Sequence, residues 1–382
     1  MKIVLFYPSM LSEWNQGHVH FIRGVANSLQ ARGHQVKVYE PREGASLQTL
    51  LKEQGPRALL QFQKVFPDLE SMLYDPARLD LPRVLEGVQL VIANEANAPE
   101  LIASLDKRRG EDDSFRLFLH DTGHRSVTDP DALGRLELSH FDGVLAFGQA
   151  VRDIYIDKRW ADRVWVWHEA ADTRVFKPLS RLEVEGDLAW VGNYGDDERT
   201  AELKEFLFEP VRELGLRTLA HGVGFPAAAV RLMKRAGIRH GGWIANHRVP
   251  WLFSQYRCTV HVPRRPYVEQ LPGIPSLRMF EAMACGLPLV CSPWEDAEHL
   301  FIPGKDYLVA RDKREMKEHL RNVLHDEALA RRLAMHARWT IQERHTCAHR
   351  ADELLRIGEE LGLPPSGPAA RRAGTFAQAH RF

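Results

Sequence analysis

At 382 residues the chain is longer than one ordinary domain and is read as two. Apolar residues make up 44%, enough for real cores, while Lys+Arg and Asp+Glu balance at 51 each, which excludes an overall field recruiting nucleic acid or an acidic membrane. No apolar run reaches membrane-span length and the four cysteines (Cys258, Cys285, Cys291, Cys347) lack metal-type spacing, so the expectation is a cytoplasmic protein with neither metal nor other cofactor.

The opening MKIVLFYPS lacks the charged region and cleavage site of a signal peptide, and KIVLFY has the length and apolarity of a strand. After a loop containing Gly17, residues Phe21, Ile22, Val25 and Leu29 recur at helical spacing. Gly33 ends that helix and HQVKVYEP returns as a strand, completing a βαβ unit and implying a parallel sheet. Short apolar strands follow as QLVIAN, RLFLHD, GVLAFG and RVWVWHE, separated mostly by helical segments. Residues 1–170 are therefore one α/β domain.

Residues 171–186, ADTRVFKPLSRLEVEG, are polar and without period and read as a linker. DLAWVGN then starts a second α/β series over 187–340, with RTLAHG, CTVHVPR, LPLVCSP and DYLVA as its strands. A helical segment at 341–362 is a candidate to pack back on the first domain, and 363–382, rich in Pro, Gly and Ala, reads as a loose tail. Two doubly wound domains in tandem leave a cleft between the carboxyl ends of their sheets, where such folds bind ligands.

The segment GIPSLRMFEAMACGLPLV bears on that cleft. Ser276 suits an N-cap, and Leu277, Phe280 and Ala284 form the stripe that faces the sheet. Arg278 and Glu281, three apart, share another face near a helix start that favours anions. A guanidinium there can fork onto a diphosphate, and a carboxylate can accept both hydroxyls of a ribose. The competing reading is an exposed Arg–Glu pair of little consequence.

His120 and Asp121 end an apolar strand, either to act on a sugar or to cap the strand. Gly17 and His18, with His20, sit in a loop before a helix, where glycine admits close approach and His18 either touches acceptor or phosphate or caps the helix. GDDE, residues 195–198, reads as acids opening a helix rather than metal ligands. In GGWIANHRVPWLF, Gly241 and Gly242 permit close approach, and Trp243 and Ile244 either flank a ligand or pack structurally. Arg264 and Arg265 cannot both point the same way in an extended segment, so one of them is expected at a diphosphate.

RMFEAMACGLPLV resembles the donor-binding segment of GT-B glycosyltransferases, in the group related to the large retaining family of sucrose and mannosyl transferases. More closely, the chain looks like bacterial glycosyltransferases of the spore-maturation type. WNQGHVHFIRGVANSLQARGHQVKVYEP, LFLHDTGHRSV, HEAADTRVFKP and WVGNYGDDERTAEL are similar to successive segments of such enzymes, so the resemblance spans most of the chain. It implies a GT-B fold of two Rossmann-like domains and metal-independent, retaining transfer from a nucleotide-diphosphate sugar, UDP- or GDP-linked. The donor would bind Glu281, Arg278, Gly273, Ile274, Asn193, Arg199, Trp243, Ile244 and one of Arg264 and Arg265. His120 and Asp121 would be catalytic, and Gly17 and His18 would face the acceptor or phosphate. The family's two glutamates stand eight positions apart, and here Gly273 stands where the first would be. Asn193, Tyr194 and Gly195 stand where the family places an Arg and a Lys, with Arg199 further on. A sugar-nucleotide-binding protein without transfer activity, and a nucleotide-sugar epimerase of the same fold, are the alternatives. Neither acceptor nor oligomeric state is legible.

Overall fold

The computed structural model describes residues 1–14, 17–180, 183–195 and 198–365. Asp196 and Asp197 of the GDDE segment, and the tail from residue 366, lie outside the described residues.

The first domain is built on seven parallel strands: β1 (Lys2–Phe6), β2 (Gln35–Pro41), β3 (Glu70–Tyr74), β4 (Leu90–Asn94), β5 (Arg116–Asp121), β6 (Gly143–Ala146) and β7 (Val164–Val166). They lie in the order β3-β2-β1-β4-β5-β6-β7. The second domain has β8 (Gly186–Val191), β9 (Thr218–His221), β10 (Ile238–His240), β11 (Tyr256–His261), β12 (Leu289–Cys291) and β13 (Leu308–Val309), ordered β10-β9-β8-β11-β12-β13. Central strands such as β4 are buried along their whole length, because helices cover both faces of a parallel sheet. That is why they read as unbroken apolar runs.

In each sheet the strand order reverses at one point, between β1 and β4 and between β8 and β11. The loops leaving neighbouring strands there run to opposite faces and open a crevice at their carboxyl ends. The two crevices face each other.

The chain crosses between domains twice. The first crossing follows β7; the second comes after the helix Glu327–Arg344, which runs through residue 340, so the change of domain falls at His345–Thr346. The crossings touch: the Ala171 amide donates to the His345 carbonyl at 3.0 Å, and the Cys347 amide to the Ala171 carbonyl at 3.0 Å. The last helix, Cys347–Glu360, then packs on the first-domain helix Val19–Gln30. The fit is close at Gly24, where a Cβ would run into Cys347 and into the Cβ of Asp172.

Candidate active site between the domains

The loop after β1 is held by two buried charges. Arg23, 1% exposed, donates through Nε and Nη2 to the Met10 carbonyl at 2.9 and 2.5 Å and pairs with Glu13 at 2.8 Å. Its guanidinium lies over the Phe62 ring at 4.6 Å, so packing as well as charge fixes it. Glu40, also buried, accepts from the Met10 amide at 2.6 Å. The loop is thereby pinned with Glu13 and Trp14 reaching the other domain. Glu13 accepts from the Asn246 amide at 3.0 Å, and Trp14 stacks on Trp243 at 5.5 Å between centroids.

The cavity enclosed there is lined from the first domain by Glu13, Gly17 and His20. The second domain contributes Asn193, Trp243, Ile244, Asn246 and Arg278, from loops after β8 and β10 and from the helix Leu277–Ala284. Five residues singled out in the sequence, namely Gly17, Asn193, Trp243, Ile244 and Arg278, thus share one space. A Cβ at Gly17 would meet nothing within 4 Å, which leaves that side of the cavity open to an approaching group.

Glu281 is only 1% exposed, so the exposed-pair reading does not hold. It pairs with Arg278 and accepts from Asn246 Nδ2 at 2.8 Å. Burial raises its pKa, against the pull of Arg278. Every other residue of the helix is buried too, because the helix lies between its own sheet and the first domain; Arg278 alone is half-open, towards the cavity.

The start of this helix departs from the sequence reading. Ser276 makes no capping bond, and its hydroxyl turns to His261 Nε2 at 3.4 Å. The Leu277 amide is instead taken by the carboxyl of Glu169, which reaches over from the first domain's crossing segment. Burial first, then the Glu281 charge, push Glu169 up to about 8. Beside it His168 Nε2 meets Glu298 at 2.7 Å, and Glu298 also accepts from the Gln149 amide at 2.8 Å.

Several other expected site residues are engaged elsewhere. Arg199 is 7% exposed and donates to three backbone carbonyls, of Tyr194, Val262 and Asn193, so it braces the loop after β8 and has no arm free for a diphosphate. Arg264 pairs with Glu198 at 2.6 Å and Arg265 with Glu202 at 2.9 Å, each drawn to an acid of the neighbouring segment. The Gly273 amide, in a left-handed turn (φ +85°), donates to the Glu295 carbonyl at 2.9 Å. Ile274 is a wedge, buried in the first domain's core against Gly148.

His120 and Asp121 at the end of β5 are fully buried and do not line the cavity. His120 Nδ1 is 2.5 Å from Tyr7 Oη, its ring lies 4.8 Å from Trp167, and burial holds its pKa well below the usual value. Its Nε2 is buried with no partner, as is Nε2 of His18, whose ring lies 6.4 Å from Tyr7 and whose pKa burial lowers to about 4. Asp121 accepts from Tyr155 Oη at 3.0 Å and from the Gly123 amide at 3.0 Å, and burial raises it to about 6. It organises the end of β5. Among the described residues no group of three or more His, Cys, Asp or Glu is arranged to hold a metal ion.

Glu13, Asn246 and Glu169 were missed by sequence reasoning. Glu13 had one available signal, its place in the loop directly after β1. Glu169 lies within the HEAADTRVFKP segment, but its contact with an amide more than a hundred positions away leaves no local trace.

Residues 199–356 match the model of a family described as glycosyl transferase-like. A comparison with curated protein sequences returned no match. Among solved structures, the chain is similar to an α-glucosyltransferase solved with UDP (14% identity, 94% of this chain and 100% of that one, TM-score 0.68). It is also similar to HepE of Anabaena solved with UDP-glucose (13% identity, 94% and 100%, TM-score 0.67). Sucrose-phosphate synthase of Thermosynechococcus elongatus is a third (16% identity, 94% and 99%, TM-score 0.65). At these identities the likeness is one of fold, and that fold is GT-B: two Rossmann-like domains facing a cleft.

Proposed function

We propose that the protein is a glycosyltransferase that moves a sugar from a uridine-diphosphate sugar to an acceptor, with the donor held mainly by the second domain. The observation that carries this reading is the convergence of Gly17, Asn193, Trp243, Ile244 and Arg278 on one cavity at the carboxyl ends of both sheets. The family match over 199–356, and neighbours solved with UDP and UDP-glucose, support the donor class.

The buried ion pair suggests how the donor enters. Arg278, the half-open member, swings from Glu281 to the diphosphate, where charge develops as the sugar departs. Glu281 keeps Asn246 and turns its freed oxygen to the ribose hydroxyls, so the carboxylate is never left buried and unpaired. Glu169, neutral below about pH 8, can stand beside an incoming phosphate at the start of the Leu277–Ala284 helix without repelling it. The paired loops of Glu13 and Asn246 keep water from the reacting centre. Retention of configuration is the stereochemistry that the resemblance gives. His18, in the loop beside Gly17, is the group proposed to meet the sugar or acceptor from the first domain, and the buried His120 backs that loop through Tyr7 without touching the ligand.

A thermal-shift series with UDP, GDP, dTDP, CMP and ADP tests the donor site. A ligand at a hundred times its dissociation constant adds about 2.7 kcal/mol of stability, so UDP is expected to raise the melting point clearly and above the others. No shift with any of them would remove the donor site, and with it the transferase reading. Product analysis by NMR with UDP-glucose and a panel of acceptors then reads the anomeric configuration.

A further inference from the structure

Behind the second domain, away from the cleft, lies a groove of about 590 Å³, within the size range of small-molecule sites. Its walls are Lys177, Pro178, Leu179 and Val184 of the interdomain linker, the turn Cys285–Pro288 that follows the Leu277–Ala284 helix, and the helix Glu327–Arg344. Four large apolar side chains line it while remaining open to solvent: Met335 at 66% exposure, Trp339 at 57%, Val184 and Leu179. Met335 and Trp339 stand one helical turn apart and form one apolar strip. Such clustering of exposed apolar groups marks a surface that meets something.

The charge around the strip is one-sided. Lys177, Arg331 and Arg338 line the groove and have no ion-pair partner among the described residues, while Glu327 is the one acid on the wall. A second copy of the chain does not suit this face, because a twofold contact would bring the same cations opposite each other. Nor does the chain's own segment 366–382, which carries Arg371, Arg372 and Arg381 and no acidic residue.

We propose that this groove is a binding site for a single anionic amphiphile, a long apolar chain with a phosphate or carboxylate head. The chain lies along Met335, Trp339, Leu179 and Val184, and the head meets the forks of Arg331 and Arg338. This site is separate from the donor cleft, and its existence does not depend on the transferase reading.

The test is calorimetric titration of the full chain with monomeric dodecyl phosphate, below its micelle concentration. Saturable one-site binding is expected, weakened about tenfold or more by Met335→Ala/Trp339→Ala and comparably by Arg331→Gln/Arg338→Gln. These side chains are exposed, so an unchanged melting point and an unchanged circular-dichroism spectrum in both variants certify the fold. The proposal is overturned by no saturable binding, by equal affinity for neutral dodecyl maltoside, or by binding that both double variants retain. Binding to phosphatidylglycerol vesicles without binding of the monomer would assign the face to a membrane instead. A dimer in light scattering that Trp339→Ala dissociates would assign it to a second copy, and either result overturns the single-molecule site.

Discussion

Trp14 of the first domain lies on Trp243 of the second, ring centroids 5.5 Å apart and planes 21° from parallel. The two indoles join the domains, and in the proposed function Trp243, which lines the cavity, receives the base. Trp14 therefore stands where a stacked nucleotide would compete with it.

Replacing the two tryptophans should have opposite effects. Stacking of a base on an aromatic ring is worth about 1–3 kcal/mol, so Trp243→Ala should weaken UDP binding about tenfold or more. Trp14→Ala removes only the competitor and should leave UDP affinity unchanged or raised. Calorimetry on both variants decides it: equal losses would mean that Trp14 itself holds the nucleotide.

Glu281→Ala leaves Arg278 without its carboxylate and removes the proposed ribose acceptor. UDP affinity should fall about tenfold or more, from charge-assisted hydrogen bonds of about 1.5–3 kcal/mol each. Glu281→Gln should lose less. Unchanged affinity in the alanine variant would return the pair to a purely structural role.

Glu169 makes stability depend on pH in a definite direction. Its folded-state pKa of about 8 is above the ordinary carboxyl value, so its stabilising contribution is full below the unfolded pKa and is lost as pH rises through 8. The buried histidines work oppositely: His18 at about 4 and His261 and His345 at about 3 gain stability up to their unfolded pKa near 6.5. Between pH 6.5 and 8 the Glu169 effect is therefore exposed. Urea unfolding should show stability declining more steeply across that window in the native chain than in Glu169→Gln, where Glu95, which burial holds well above the usual carboxyl range, still titrates. UDP binding should weaken over the same range, as an ionised Glu169 comes to face the phosphate. A slope as steep in the variant as in the native chain would place the titrating group elsewhere.

Gly24 tests the join between the first and last helices. Gly24→Ala puts a methyl against Cys347 and Asp172, an overpacking expected to cost about 1–3 kcal/mol. Cys347→Ala should recover part of that loss in the double variant, since the Asp172 contact remains. Purely additive losses in a denaturant double-mutant cycle would refute the clash.

What the sequence disclosed follows burial. The central strands showed as apolar runs because helices cover them on both faces, and two doubly wound α/β domains were legible from their alternation with helices, while GT-B itself came from the resemblance of RMFEAMACGLPLV. Strands β3 and β10 left no such mark. Both are edge strands and only partly buried, so ESMLY and IRH carry no continuous apolar signal. The Leu277–Ala284 helix shows the complementary failure: its stripe is helical, yet Glu281 is enclosed by a second domain that no local period encodes. Arg199, Arg264 and Arg265 have the right chemistry for a diphosphate, but nearby carbonyls and acids claim them first.

The pairing of Ala171 with His345 and Cys347 has a consequence for the order in which the molecule is made. The helix that completes the first domain is the last one among the described residues, so the second domain is an insertion within a discontinuous first one. On the ribosome the β1–β7 sheet emerges early, but the Phe21 face of its first helix has to wait for Cys347 and its neighbours. The second domain, contiguous in sequence, is free to close while the first is still unfinished.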